Sequence, residues 1–120
     1  MERMLKLDKI KVIKIDENNL EIEVKEIKNS INSYYEEIGC KYVDMPLLAC
    51  PVSNNYMIIC DDSGLIDGRP IVYYSNQIIC GTLIICRVNN IGESISLDDG
   101  DIEYLKKYLN EGITFAKIIR

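Results

Sequence analysis

The residues best suited to chemistry gather between Asp61 and Asn76, where Asp61, Asp62, Asp67, Arg69, Tyr73, Tyr74 and Asn76 share one short stretch. An arginine there can form a bidentate clamp on a carboxylate or a phosphate. A neighbouring tyrosine can stack on a base or anchor a protein interface. The three aspartates could hold a divalent cation, but they lack the spaced oxygen ligands and closing glutamate of a calcium loop. A structural reading competes with each assignment: aspartate and glycine are what turns require, adjacent strand tyrosines point to opposite faces, and Arg69 can pair with Asp67. The segment is expected to act as a binding surface, with no catalytic residue and no metal.

Histidine is absent. Its absence removes the usual general base near neutral pH, the partner that activates serine or cysteine in hydrolytic triads, and the commonest zinc ligand. Any catalysis would have to run on carboxylates, lysine, tyrosine or cysteine, which makes an enzyme built on Asp61, Asp62 and Asp67 the least favoured reading. The five cysteines, Cys40, Cys50, Cys60, Cys80 and Cys86, lie in apolar runs without the C-x-x-C spacing of a zinc knuckle or redox pair. They are expected to be free thiols packed as small hydrophobes, and no cofactor is implied. The competing reading is a sulfur-rich metal site assembled across strands. Cys80 and Cys86, in one strand, would share a face, and only Cys86 has an adjacent cation, Arg87. No glycine-rich phosphate loop occurs.

Fourteen lysines and arginines stand against nineteen aspartates and glutamates, a net charge of −5. Duplex binding draws on cations that neutralise phosphates, so direct duplex nucleic acid is not an expected partner. An acidic chain instead suits a basic groove on another protein. No apolar run approaches the ~20 residues that span a bilayer. The N-terminus has no apolar signal-peptide core, so a cytoplasmic location away from membranes is expected.

A chain of 120 residues fits one domain with a real core. Ile10 to Asp16 and Leu20 to Ile27 alternate apolar and polar around Asp16-Glu17-Asn18-Asn19, which predicts an opening β-hairpin. Ile31, Tyr34, Tyr35 and Ile38 fall at helical intervals; Ser33 and Glu36 have capping-box spacing, and Gly39 suits the C-cap. Pro46 and Pro51 confine any strand between Cys40 and Val52 to an edge. Short strands are expected near Asn55 to Cys60 and Ile71 to Tyr74. A longer one, from Gln77 to Val88, is interrupted by Gly81. Ser96 is expected to cap a last helix with Ile102, Leu105 and Leu109 as its buried stripe, ended by Gly112, and Ile113 to Arg120 could add a strand.

An acidic turn, Asp61-Asp62-Ser63-Gly64, precedes the loop Gly68-Arg69-Pro70. The strand Ile78-Ile79-Cys80-Gly81-Thr82-Leu83-Ile84 follows, and then the helix opening Ser96-Leu97-Asp98-Asp99. In that succession, from Asp61 to Leu109, the chain resembles a small uncharacterised domain family carried by phages, plasmids and conjugative elements of low-GC Gram-positive bacteria. The family often has an Asn-Arg pair after its Gly-x-Pro loop, where this chain has Ile71-Val72-Tyr73-Tyr74. Arg69 and Asn76 are the residues left to take over any role of that pair. The resemblance implies a mobile-element origin, cytoplasmic action and no established enzymatic activity.

Together these readings predict a single α+β domain, a mostly antiparallel twisted sheet of five or six strands with two helices on one face. The expected function is that of a non-catalytic phage or mobile-element accessory protein that binds and inhibits a host factor, such as a CRISPR effector of a defence system. The alternative is a binder that sequesters a cyclic or adenosine-based signal nucleotide through Arg69 and the tyrosines. Edge strands and a tyrosine-rich surface leave a homodimer open.

Overall fold

The computed structural model describes residues 9–18, 21–44, 56–64, 68, 71–74 and 77–112, with the backbone alone described at 44, 71–74, 77–80 and 108–112. Strands β1 (Lys9–Ile15) and β2 (Ile22–Lys28) form the expected hairpin, in register from Lys9↔Lys28 to Ile15↔Ile22. At its turn the Asp16 carboxylate accepts the Asn18 N–H at 2.7 Å. Helix α1 (Ile31–Ile38) follows, and its N-cap is Ser30, not Ser33: the Ser30 hydroxyl accepts the Ser33 N–H at 3.4 Å. Ser33 lies a turn inside, where it is buried. Gly39 closes the helix at φ 76, a left-handed geometry that costs glycine nothing, and its N–H donates to the Tyr35 carbonyl at 2.8 Å.

The remaining elements are β3 (Val43–Asp44), β4 (Tyr56–Asp61), β5 (Ile71–Tyr74), β6 (Gln77–Cys80), β7 (Leu83–Val88), β8 (Ser94–Ile95) and α2 (Asp99–Gly112). The main sheet runs β2-β1-β7-β4-β3, every pairing antiparallel, with β8 added against β7. The long strand expected from Gln77 to Val88 is two strands. Gly81, at φ 89, separates β6 from β7, and β6 pairs with β5 in a hairpin of its own. Cys80 and Cys86 therefore belong to different strands and different sheets. The segment proposed as a final strand, Ile113 to Arg120, and the Pro46–Pro51 stretch lie outside the described residues.

Both faces of the main sheet are apolar. Ile13, Ile15, Ile58, Leu83 and Ile85 pack with Leu97 and Leu105 on one face, beneath α2. Ile10, Val12, Met57, Ile59, Ile84 and Cys86 pack with Tyr34 and Ile38 on the other, beneath α1. The α+β class and the antiparallel sheet are as expected, but the placement of both helices on one face is corrected: they cover opposite faces. The reason is visible along β4, whose six residues are all buried, so that neither of its faces can be left to water.

β1 pairs with β7 only from Ile13↔Ile85 to Ile15↔Leu83, and beyond it β8 takes the place beside β7 at Arg87↔Ile95. The chain leaving β8 is stitched to β1. The Lys11 N–H donates to Ser96 Oγ at 2.9 Å, and the Lys11 carbonyl accepts the Leu97 N–H at 2.9 Å. Ser96 is thereby spent on the sheet, and the cap of α2 falls to Asp98.

Candidate functional site

The residues singled out from sequence divide by what the fold does with them. Asp61 ends β4 and is buried. Its carboxylate accepts the Ser63 N–H at 3.0 Å and the Ser63 hydroxyl at 3.3 Å, an Asx turn that bends the chain out of the sheet. It is a turn residue in this arrangement. Asp62 beside it is exposed, with its N–H donated to the Tyr42 carbonyl at 3.0 Å. Tyr73 and Tyr74 lie at the end of β5, in register with Ile78 and Gln77 of β6. Asp67, Arg69 and Asn76 lie outside the described residues. β6 approaches β4, so the hairpin stands near the strand that delivers Asp61 and Asp62.

A second polar constellation joins residues that sequence reasoning passed over. Tyr56 and Arg87 are cross-strand neighbours on β4 and β7, on the face that α2 covers. There they meet Asp101 in the first turn of the helix. The Asp101 carboxylate accepts the Tyr56 hydroxyl at 2.7 Å and the Arg87 guanidinium at 3.1 Å and 3.3 Å on its two oxygens. It also accepts the Asp98 N–H at 2.9 Å, while the Asp98 carboxylate accepts the Asp101 N–H at 2.8 Å, the reciprocal bonding of a capping box. Tyr104, one turn on, stacks on Tyr56 with ring centroids 6.2 Å apart.

Burial pushes the Asp101 carboxyl up, but the Asp98 N–H, the Tyr56 hydroxyl and Arg87 together outweigh it and hold the group below the ordinary carboxylate range. A carboxylate so held stays ionised and satisfied near neutral pH. It fastens a helix and makes a poor proton acceptor. One local signal for it is the Asp98-x-x-Asp101 spacing; another is a lone arginine in an otherwise apolar strand, which calls for an acidic partner.

On the opposite face, Glu37 in the last turn of α1 accepts Lys25 Nζ at 2.7 Å and Lys14 Nζ at 3.0 Å. Burial raises the Glu37 carboxyl, and the two lysines more than reverse that, leaving it lowered. Lys25 is raised in turn, chiefly by its hydrogen bond to Glu37. This triad ties α1 to the β1–β2 hairpin.

The thiols are disposed for packing. Cys60 and Cys86 are buried and Cys40 is partly so. Cys86 faces the α1 side while Arg87, its neighbour in the strand, faces α2, so the cation cannot activate the thiol. Burial pushes Cys86 up to about 12. Among the described residues no group of three or more cysteines and carboxylates is placed to hold a metal ion. No helix among them is long and apolar enough to cross a membrane.

A family model described as a domain of unknown function, DUF3846, matches residues 10–110, from the opening hairpin through most of α2, and the chain belongs to that family. No curated protein and no solved structure matches the chain.

Proposed function

We propose that this DUF3846 protein is a non-catalytic accessory protein of a phage or other mobile element, working in the host cytoplasm by binding a host protein and blocking it. A defence component such as a CRISPR effector is the partner class this reading favours. The observation that carries it is how the buried and half-buried ionisable groups are used. Asp61 closes a turn, Asp101 latches α2, Glu37 clamps α1, and the Cys86 thiol is held far above neutral pH. These are the groups a hydrolytic or transfer enzyme would need free, and here they are engaged in holding the fold.

Binding then falls to what the two helix layers leave outside. The surface we assign runs from Asp62 through the β5–β6 hairpin, with Asp67, Arg69, Tyr73, Tyr74 and Asn76 as contact residues and Asp61 as its anchor in the sheet. Tyrosine and arginine carry a large share of interface energy, and a net charge of −5 steers the chain toward a basic face.

The test is affinity capture of the tagged chain from host lysate, with proteins and small molecules identified together by mass spectrometry. One host protein should co-purify in fixed ratio and be lost with the Tyr73→Ala/Tyr74→Ala double variant. A concentration-dependent rise in melting temperature with a cyclic or adenosine-based nucleotide, without a protein partner, would overturn the reading in favour of nucleotide sequestration. Turnover of any substrate would overturn it outright.

A further inference from the structure

β2 ends the main sheet. It is seven residues long, pairs with β1 along its whole length, and among the described residues nothing pairs with its outer side. An open edge of that length is a template for another strand. Natural edges are usually kept apart by charge, and β2 carries Glu23, Lys25, Glu26 and Lys28. The order of those charges decides what this edge admits.

Two copies meeting edge to edge about a two-fold axis normal to the sheet keep their faces aligned. The axis must then pass through a residue, which faces its own copy. An axis through Glu23, Lys25, Glu26 or Lys28 sets like charges against each other at the centre, and one through Ile22 opposes Glu21 to Glu23. An axis through Ile27 engages only the end of the strand and centres on a side chain already buried at 5% exposure. The axis through Val24 differs from all of these. Val24 is 38% exposed although its cross-strand neighbour Ile13 is at 0%. In that register it packs on Val24 of the second copy. Glu23 lies opposite Lys25 of the second copy twice over, and Ile22 lies opposite Glu26. The Lys25 ammonium already donates to Glu37 and has two further protons to offer.

We propose that the chain forms a two-fold homodimer along β2, antiparallel and centred on Val24, so that the two main sheets continue into one. The closed symmetry pairs the two β2 edges with each other, so no third copy can add there. Pairing through one strand lies at the small end of stable interfaces, so the dimer is reversible and dilutes to monomer. The proposal does not depend on the partner reading above.

Sedimentation equilibrium over a concentration series, combined with cysteine crosslinking of the full chain, tests it. In this register the two Val24 Cα atoms stand roughly 4.5–5.5 Å apart, within disulfide reach, whereas the two Glu26 Cα atoms stand roughly 14 Å apart. Under mild oxidation Val24→Cys should form a covalent dimer at least tenfold faster than Glu26→Cys or the unmodified chain. Glu23→Lys, which turns both attractive pairs repulsive, should weaken association about tenfold without lowering the monomer's thermal stability by more than a few degrees. A monomer at every concentration, or Val24→Cys crosslinking no faster than Glu26→Cys, overturns the proposal.

Discussion

Replacing Asp101 with alanine removes three kinds of bond at once, and the cost can be built up from them. The capping box loses its return bond to the Asp98 N–H, which is worth about 1 kcal/mol. The buried Tyr56 hydroxyl loses a charge-assisted acceptor at 2.7 Å, worth about 1.5–3 kcal/mol. Arg87 loses its closest carboxylate, but its side chain is 36% exposed and Asp98 remains 3.7 Å away, so solvent and that second acid limit the loss to under about 1 kcal/mol. The expected total is about 3 kcal/mol, which in a domain of this size lowers the melting temperature by roughly 10–15 °C. Urea unfolding at pH 7 with an unchanged m-value measures it. Asp99→Ala is the control: its side chain is 99% exposed and 3.8 Å from Lys11, and it should cost no more than about 0.5 kcal/mol. Tyr56→Phe should cost about 1.5 kcal/mol and couple to Asp101→Ala by at least about 0.5 kcal/mol in a double-mutant cycle. If Asp101→Ala costs no more than Asp99→Ala, or the cycle shows no coupling, the latch on α2 is refuted.

Acid should act through the same groups. Asp101 and Glu37 both have folded-state values below their ordinary ones, so the unfolded chain takes up their protons first as pH falls. Their stabilisation is whole above the ordinary carboxylate values of 3.8 and 4.5 and drains away as pH drops through the lower folded-state values. Urea midpoints measured stepwise through the acid range should fall, and should fall less steeply in Asp101→Asn. At the alkaline end Lys25 and Tyr34 are both raised, so stability should decline as pH climbs through and beyond 10. Thiol labelling followed by mass spectrometry should modify Cys40 in the native state while Cys60 and Cys86 react only on unfolding, and rapid native labelling of Cys86 at pH 8 would contradict its burial.

The hairpin, both helices and most strand positions are legible in the sequence because they rest on local rules: alternation in β1 and β2, 3.6-residue spacing in α1, and a glycine at its end. What misled was local plausibility settled by distant contacts. Ser96 and Asp98 are both competent N-caps; the choice between them depends on Lys11, 85 residues from Ser96, which takes the serine for the sheet. The opposite-face placement of the helices had a signal in the apolar runs Tyr56 to Cys60 of β4 and Leu83 to Cys86 of β7, since a sheet open on one side alternates and these runs do not. The Tyr56–Arg87–Asp101 latch joins residues 45 and 14 positions apart, beyond the reach of periodicity. Asp61 is a site candidate by its charge, and Asp61-x-Ser63 is equally the pattern of an Asx turn, which its carboxylate forms here.

Covering both faces of a sheet restricts how such a protein can meet anything else. With α1 and α2 over the faces, the β2 edge and the β5–β6 hairpin are, among the described residues, the longer elements that neither helix covers, β3 at the far edge being only two residues long. In the order β2-β1-β7-β4-β3, β2 stands at one end, while β4, which β6 approaches, lies toward the other. A dimer joined at β2 would therefore carry its two hairpins on opposite flanks, each free to engage one partner molecule. Binding to a partner immobilised at high density should then gain from bivalence, by tenfold or more when both sites can be reached together. Val24→Lys, which places two ammonium groups on the two-fold axis, should abolish that gain while leaving the affinity for partner free in solution unchanged. Equal loss in both formats would mean that the β2 edge is itself part of the partner's binding site, and the division of labour between edge and hairpin would fail.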